Sequence, residues 1–203
     1  MTPRTRTTTQ SRGGRTVIVE SAIRNFRSLG YHATTMRGIA EGAGITVASI
    51  YHHFGSKQDI LQEIMVRALR DVIAETRTAV LAAGGPATEQ LAAIVRAWIL
   101  FHAVRQPEAL IGSTEIRSLD RRGHTLVVTL RDEQERMFRD VVLRGVETGE
   151  FATANPTEAA RAVINMGSSV AAWYSGSGGT SPAAMAEIYV ELALGTVRAR
   201  PAS

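Results

Sequence analysis

Two short apolar runs divided by a single glycine constrain this chain more than any other feature. Ile39, Ala40 and Ala43 recur at helical spacing after Thr34 and Thr35, and Ile45 and Ile50 follow Gly44. Helices this brief are unstable in water alone, so each must be held against a neighbour. Gly44 tolerates the left-handed backbone of a tight turn. Ala40 and Ala43 are small enough to let two helices cross closely. The spacing predicts a helix-turn-helix whose second member, from about Thr46 to His53, turns Ile50 and Phe54 inward. A preceding helix from about Thr16 to Gly30 completes the small core with Ile18, Ala22 and Phe26.

With Ile45, Ile50 and Phe54 inward, Thr46, Val47, Ala48, Tyr51 and His52 lie toward the other side, where a duplex groove would be met. His53 and Lys57 fall at the junction with a fourth helix that "SKQD" caps at Ser56. Lys57 is the only lysine among 23 basic residues; the others are arginine. An ammonium at a helix N-terminus opposes the local dipole unless an anion lies between them. A DNA phosphate is the expected anion. His52 and His53 are adjacent on a helix and diverge by about 100°, so no metal site is expected.

Charge distribution agrees. Residues 1–57 carry seven arginines and Lys57 against Glu20 and Glu41, a net of +6 in a chain whose total is +4. A basic front end on a mildly acidic body points to a polyanion partner for the front end alone. Residues 1–14, rich in Thr, Arg and Gly, read as a disordered basic arm. Its arginines Arg4, Arg6 and Arg12, with Arg15 just beyond, could enter a minor groove.

Everything after Ser56 follows a helical period. Runs are expected at 56–83, 87–104, 108–119, a long one closed near Gly149, one opening at Pro156 and broken by "SGSGGTSP", and a last one over 182–198. The class is all-α, about nine helices: a DNA-binding domain at 15–62 and a larger effector-binding and dimerisation domain at 63–203. No run of eighteen apolar residues spans a membrane, and the chain has no cysteine for a disulfide or thiolate site. No nucleophile elbow, phosphate loop or metal-spaced His/Glu pair appears. An enzyme is therefore not expected, nor any cofactor, and the setting is cytoplasmic. A helical adaptor that binds protein is the alternative class, which the basic front end argues against.

The stretch "GYHATTMRGIAEGAGITVASIYHHFGSKQDIL", within residues 16–62, resembles the DNA-binding domain of the TetR family of bacterial transcriptional regulators. That resemblance implies DNA contact by Thr35, Arg37, Thr46, Val47, Ala48, Tyr51, His53 and Lys57, with His52 beside them. It also implies a homodimer on a double-stranded operator, paired through its last two long helices. Their expected faces are Ala160, Val163, Ile164, Gly167, Val170 and Ala171, and Met185, Ile188, Tyr189, Leu192 and Gly195. The middle helices would enclose a small-molecule effector among Trp98, Phe101, His102, Met137, Phe138, Val141 and Trp173. The C-terminal half, from "RDEQERMFRDVVLRGVETGEF" to "AAWYSGSGGTSPAAMAEIYVELALGTV", is similar to repressors that answer to acyl-CoA thioesters. The effector expected is thus an acyl-CoA or related hydrophobic acid, with a cationic drug as the alternative.

Overall fold

The computed structural model describes residues 7–200, with side chains from Gly13 onward except at Ser177. Among these residues the chain is helical throughout. The elements are α1 (Thr7–Leu29), α2 (Met36–Ala43), α3 (Val47–Tyr51), α4 (Lys57–Ala83), α5 (Ala87–Val104), α6 (Gln106–Thr114), α7 (Arg121–Glu147), α8 (Pro156–Trp173) and α9 (Pro182–Thr196), with 3-10 turns at Ile116–Ser118 and Gly176–Gly178. A single antiparallel bridge, Phe151 to Ala199, is the only β pairing among them. Helix α1 starts at Thr7, so residues 7–14, expected in the arm, are helical. Arg4 and Arg6 lie outside the described residues, as does the side chain of Arg12. The segment expected as one helix over 108–119 is α6 followed by a 3-10 turn.

The chain forms two compact units. The head runs through Arg67 and recruits Ile111–Val127; the body comprises Ala68–Leu110 and the chain from Val128 onward. In the head, Ile18, Ala22 and Phe26 of α1 meet Ile39 and Ala40 of α2 and Ile50 of α3, all buried. Two caps and one turn set the register. Thr35 Oγ1 accepts from Gly38 N and starts α2, and Thr46 Oγ1 accepts from Ser49 N and starts α3. Between them Gly44 adopts φ 67°, the left-handed conformation the spacing predicts. Gly44 N donates to Glu41 O, and Ile45 N to Ala40 O, closing α2 with paired bonds.

In the body, α5 is central and packs against both α8 and α9. Its apolar face buries Leu91, Ile94, Val95, Trp98 and Ile99. Trp98 lies in a slot that only glycine can form: a Cβ at Gly167 would run into its indole ring and come 3.0 Å from Ile99 Cδ1. The indole Nε1 donates to Ile164 O at 3.1 Å, locking the ring in place. Glu150 closes the other end of α5. Its carboxylate accepts from Ala87 N, Thr88 N and the hydroxyls of Thr88 and Thr148. Desolvation works against that charge, but the four donors outweigh it and hold the carboxyl down at about 2.

This packing revises the faces expected at a dimer contact. Ala160, Val163, Gly167, Val170 and Ala171 are buried within the chain itself, as is Met185. The reason is α5, which covers the α8 face that the sequence left open. The side of α8 facing solvent is instead Ala162, Ser169, Ala172 and Trp173. On α9, Ile188, Leu192 and Gly195 are exposed, as expected.

The Trp98 slot yields a test. Gly167→Ala adds helix propensity worth about 1 kcal/mol but overpacks the core, which costs about 1–3 kcal/mol. Trp98 cannot retreat without releasing Ile164 O, so the variant should unfold at lower denaturant. A gain in stability would show the slot to be loose.

Candidate functional site

The face of α3 that points away from the core is open. Thr46, Ala48, Tyr51 and His52 are exposed, Tyr51 to 55%, and Val47 is half-buried. Thr35 and Arg37, at the start of α2, are exposed as well. Thr35 and Thr46 are already in use as helix caps. His53 is half-buried, its ring so close to α1 that a Cβ at Gly14 would come 2.7 Å from Nε2. The candidate DNA contacts thus gather on the first turn of α2 and the outer face of α3, with His53 turned toward α1.

Lys57 has an environment the sequence did not foresee. Its Nζ donates to Tyr31 O at 2.6 Å, to Thr34 O at 2.6 Å and to His32 O at 3.3 Å. It also sits 4.3 Å from the centre of the Tyr31 ring. Three acceptors converge on three donors, which suits a compact ammonium and not a flat guanidinium. Burial pulls the Lys57 pKa down, and the Glu115 carboxylate partly restores it. Burial and the same carboxylate both raise Tyr31. The lone lysine therefore ties the start of α4 to the α1–α2 loop.

Arg15, considered for a groove contact, has a comparable fixed role. Its guanidinium donates to His53 O at 2.7 Å, pairs with Glu63 at 3.2 Å and stacks 4.1 Å from the centre of the Phe54 ring. Gln58, next to Lys57, brackets the backbone between α6 and α7. Its amide nitrogen donates to Ser118 O, and its amide oxygen accepts from Asp120 N at 3.1 Å. Ser118 Oγ lies 3.3 Å from His32 Nε2. None of these partners was legible, because most of the acceptors are backbone atoms.

The effector candidates divide. Trp98, Phe101, His102, Phe138 and Val141 are buried in the body, with Met137 packed against them. Ring centres of Trp98 and His102 are 4.2 Å apart, Trp98 and Phe138 5.7 Å, Phe101 and His102 5.5 Å. Trp173 is not with them. It is 53% exposed on the outer side of α8, edge-on to Tyr174. Among the described residues no cluster of His, Asp or Glu could hold a metal, and no helix is long and apolar enough to cross a membrane.

The profile of the bacterial regulatory proteins of the tetR family matches residues 18–64, and that of the tetracyclin repressor-like C-terminal domain matches residues 84–197. The chain belongs to the TetR family. It is a DNA-binding transcriptional regulator and not an enzyme. It is 34% identical to the HTH-type transcriptional repressor KstR2 of Mycobacterium tuberculosis over 137 residues, 66% of this chain and 67% of that one. A tetR-family regulatory protein from Rhodococcus RHA1 superposes with a TM-score of 0.85 at 28% identity, covering 92% of this chain and 98% of the other. AibR, solved with isovaleryl coenzyme A and operator DNA, shares the fold at a TM-score of 0.80 and 22% identity, covering 88% and 97%.

Two measurements on this TetR regulator without DNA check the geometry. Lys57→Met removes a charged donor from three carbonyls and should destabilise the free protein by about 1–3 kcal/mol. Lys57→Arg should restore only part, since a planar fork does not match three converging acceptors. Unchanged stability of Lys57→Met in DNA-free protein would leave the ammonium free for other work. His102, desolvated, has its pKa pushed down to about 4, the bond to Trp98 O opposing the shift. The unfolded chain takes that proton near 6.5 and the folded chain does not. Stability should therefore be undiminished above pH 6.5 and fall as pH drops toward 4. Denaturant unfolding at pH 7 and pH 5 should show a smaller acid loss for His102→Phe than for the natural chain.

Proposed function

We propose that the chain is a homodimeric repressor that an organic effector releases from its operator, the effector being an acyl-CoA or related hydrophobic acid. The observation that carries the DNA part is the outer face of α3. Tyr51, Ala48, Thr46 and His52 stand exposed on a five-residue helix whose inner side, Ile50, is completely buried. A surface held that firmly and left uncovered suits insertion into a major groove. Ala48 offers a methyl to thymine, and Tyr51 and Val47 reach base edges. Thr35 and Arg37 meet the backbone. Lys57 serves mainly by position: with its ammonium engaged, the N–H groups opening α4 are left to meet a phosphate.

Dimerisation is supported by Trp173, Ile188 and Leu192, each about half exposed. Large apolar side chains left open on the last two helices suit an interface between copies. The effector part is supported by the aromatic group around Trp98 in a body separate from the head, and by a fold that in AibR holds a thioester and DNA. Coupling runs along α4, one continuous helix that begins at Lys57 in the head and ends at Ala83 in the body. A small tilt of α4 changes the spacing of the two recognition helices. The effector acts only through its differential affinity for the two states; a shift from 1:99 to 99:1 needs about 5.5 kcal/mol.

The test is a gel shift on the chain's own upstream DNA. Acyl-CoAs of graded chain length, free CoA and a set of cationic drugs are titrated against the preformed complex. Release by thioesters of one length range, and not by free CoA, is expected. Release by a cationic drug alone would end the acyl-CoA reading and leave the repressor; no binding to upstream DNA at low salt would end the repressor reading too.

A further inference from the structure

Among the described residues four polar side chains are buried in the body, and in three of them every nitrogen or oxygen of the side chain has a hydrogen-bonding partner. Thr76 Oγ1 bonds Val72 O and pairs with the Gln134 amide, and Gln90 bonds Gly84 O and Arg144. The fourth, His102, is 7% exposed and uses one nitrogen. Its Nδ1 lies 2.8 Å from Trp98 O. A carbonyl only accepts, so Nδ1 carries the proton. In a neutral imidazole that leaves Nε2 a bare lone pair. Because Nδ1 is tied back to the preceding turn of α5, Nε2, across the ring, points away from that helix. No described residue donates to it.

The surroundings narrow what can. Ring centres of Trp98 and His102 are 4.2 Å apart, Phe101 packs edge-on at 5.5 Å, and Phe138 meets Trp98 edge-on at 5.7 Å. A carboxylate or a ketone would bring lone pairs against a lone pair. A cation would lose its hydration with no carboxylate beside the ring to replace it. An alcohol or phenol supplies one proton on an apolar body and meets both demands.

We propose that His102 Nε2 is the hydrogen-bond acceptor of the effector site, and that the effector buries an uncharged hydroxyl against the Trp98–His102–Phe138 aromatic group. This rests on reading the body as the effector domain, and it deepens that reading. The hydroxyl belongs to the buried apolar end, so a free hydroxylated compound and a hydroxyacyl thioester both satisfy it. His102 sets specificity: it selects ligands that carry the hydroxyl over the same skeleton without it.

The experiment uses the full chain carrying Trp173→Phe, so that Trp98 is the only indole. p-Cresol and p-xylene, which differ by one hydroxyl for one methyl, are titrated by Trp98 fluorescence. The Nε2 shift of His102 is followed in protein labelled with ¹⁵N-histidine. Expected are at least tenfold tighter binding of p-cresol and a change in the Nε2 shift at saturation. In His102→Phe the preference should vanish while p-xylene still binds, and His102→Gln, whose amide oxygen can accept, should recover part of it. Equal affinities, a preference that survives His102→Phe, no saturable binding of either probe, or an Nε2 shift that p-cresol leaves unchanged would each overturn the proposal. The shift and the probe pair need no His102 variant, so a variant that fails to fold does not obscure the result. 12-Hydroxydodecanoyl-CoA and dodecanoyl-CoA, compared for DNA release, separate the two sources. Release by thioesters without a p-cresol preference sinks this proposal alone. A p-cresol preference without release by any thioester sinks the acyl-CoA reading alone.

Discussion

The reading head depends on one ammonium. Helix α3 is five residues long and cannot persist by itself. It packs against α2 and runs through His53 and Phe54 into the start of α4, which Lys57 joins to the α1–α2 loop through Tyr31 O, His32 O and Thr34 O. Arg15 fastens the same α3–α4 junction to α1 through His53 O and the face of Phe54. The opposed demands on Lys57, a charge beside a helix N-terminus and a charge partly out of water, are met because three carbonyl dipoles point at it. Two arginines of the body do a different task. Arg96 grips Glu187 through two nitrogens, and Arg105 bridges Asp71 and Glu108. In these two the flat fork faces carboxylates, whereas the single lysine faces three backbone oxygens.

The body is built by fit instead of charge. Trp98 occupies the groove that Gly167 opens in α8, Phe138 meets Trp98 edge-on, and Glu150 stoppers α5 from a site 62 residues further along the chain. Packing this close resists gradual deformation and favours discrete rearrangement. Helices α4 and α7 each contribute to both units. A change in the body is therefore covalently continuous with the start of α4, where the loop clamp and the Gln58 bracket are found.

The head was legible because its signals are local. Caps at Thr35 and Thr46, the turn at Gly44 and the inward Ile39 and Ile50 all lie within a few residues of what they control. The task of Lys57 was not legible, since its acceptors are backbone oxygens 23 to 26 residues away and carry no residue-type signature. Trp173 and Trp98 look alike as aromatic residues on apolar helices. Only the three-helix packing of α5 with α8 and α9 turns one inward and one outward. The same packing moved the solvent-facing side of α8 from the expected line through Gly167 to one through Ser169 and Ala172.

Hydroxyl-radical footprinting of the chain on its own upstream DNA tests the central claim most directly, that two exposed α3 faces read a duplex together. The account predicts two protected patches on one face of the helix, centred about 34–36 Å apart, one turn of duplex, with protection lost as salt is raised. A single patch, or uniform protection without a repeat, would contradict it.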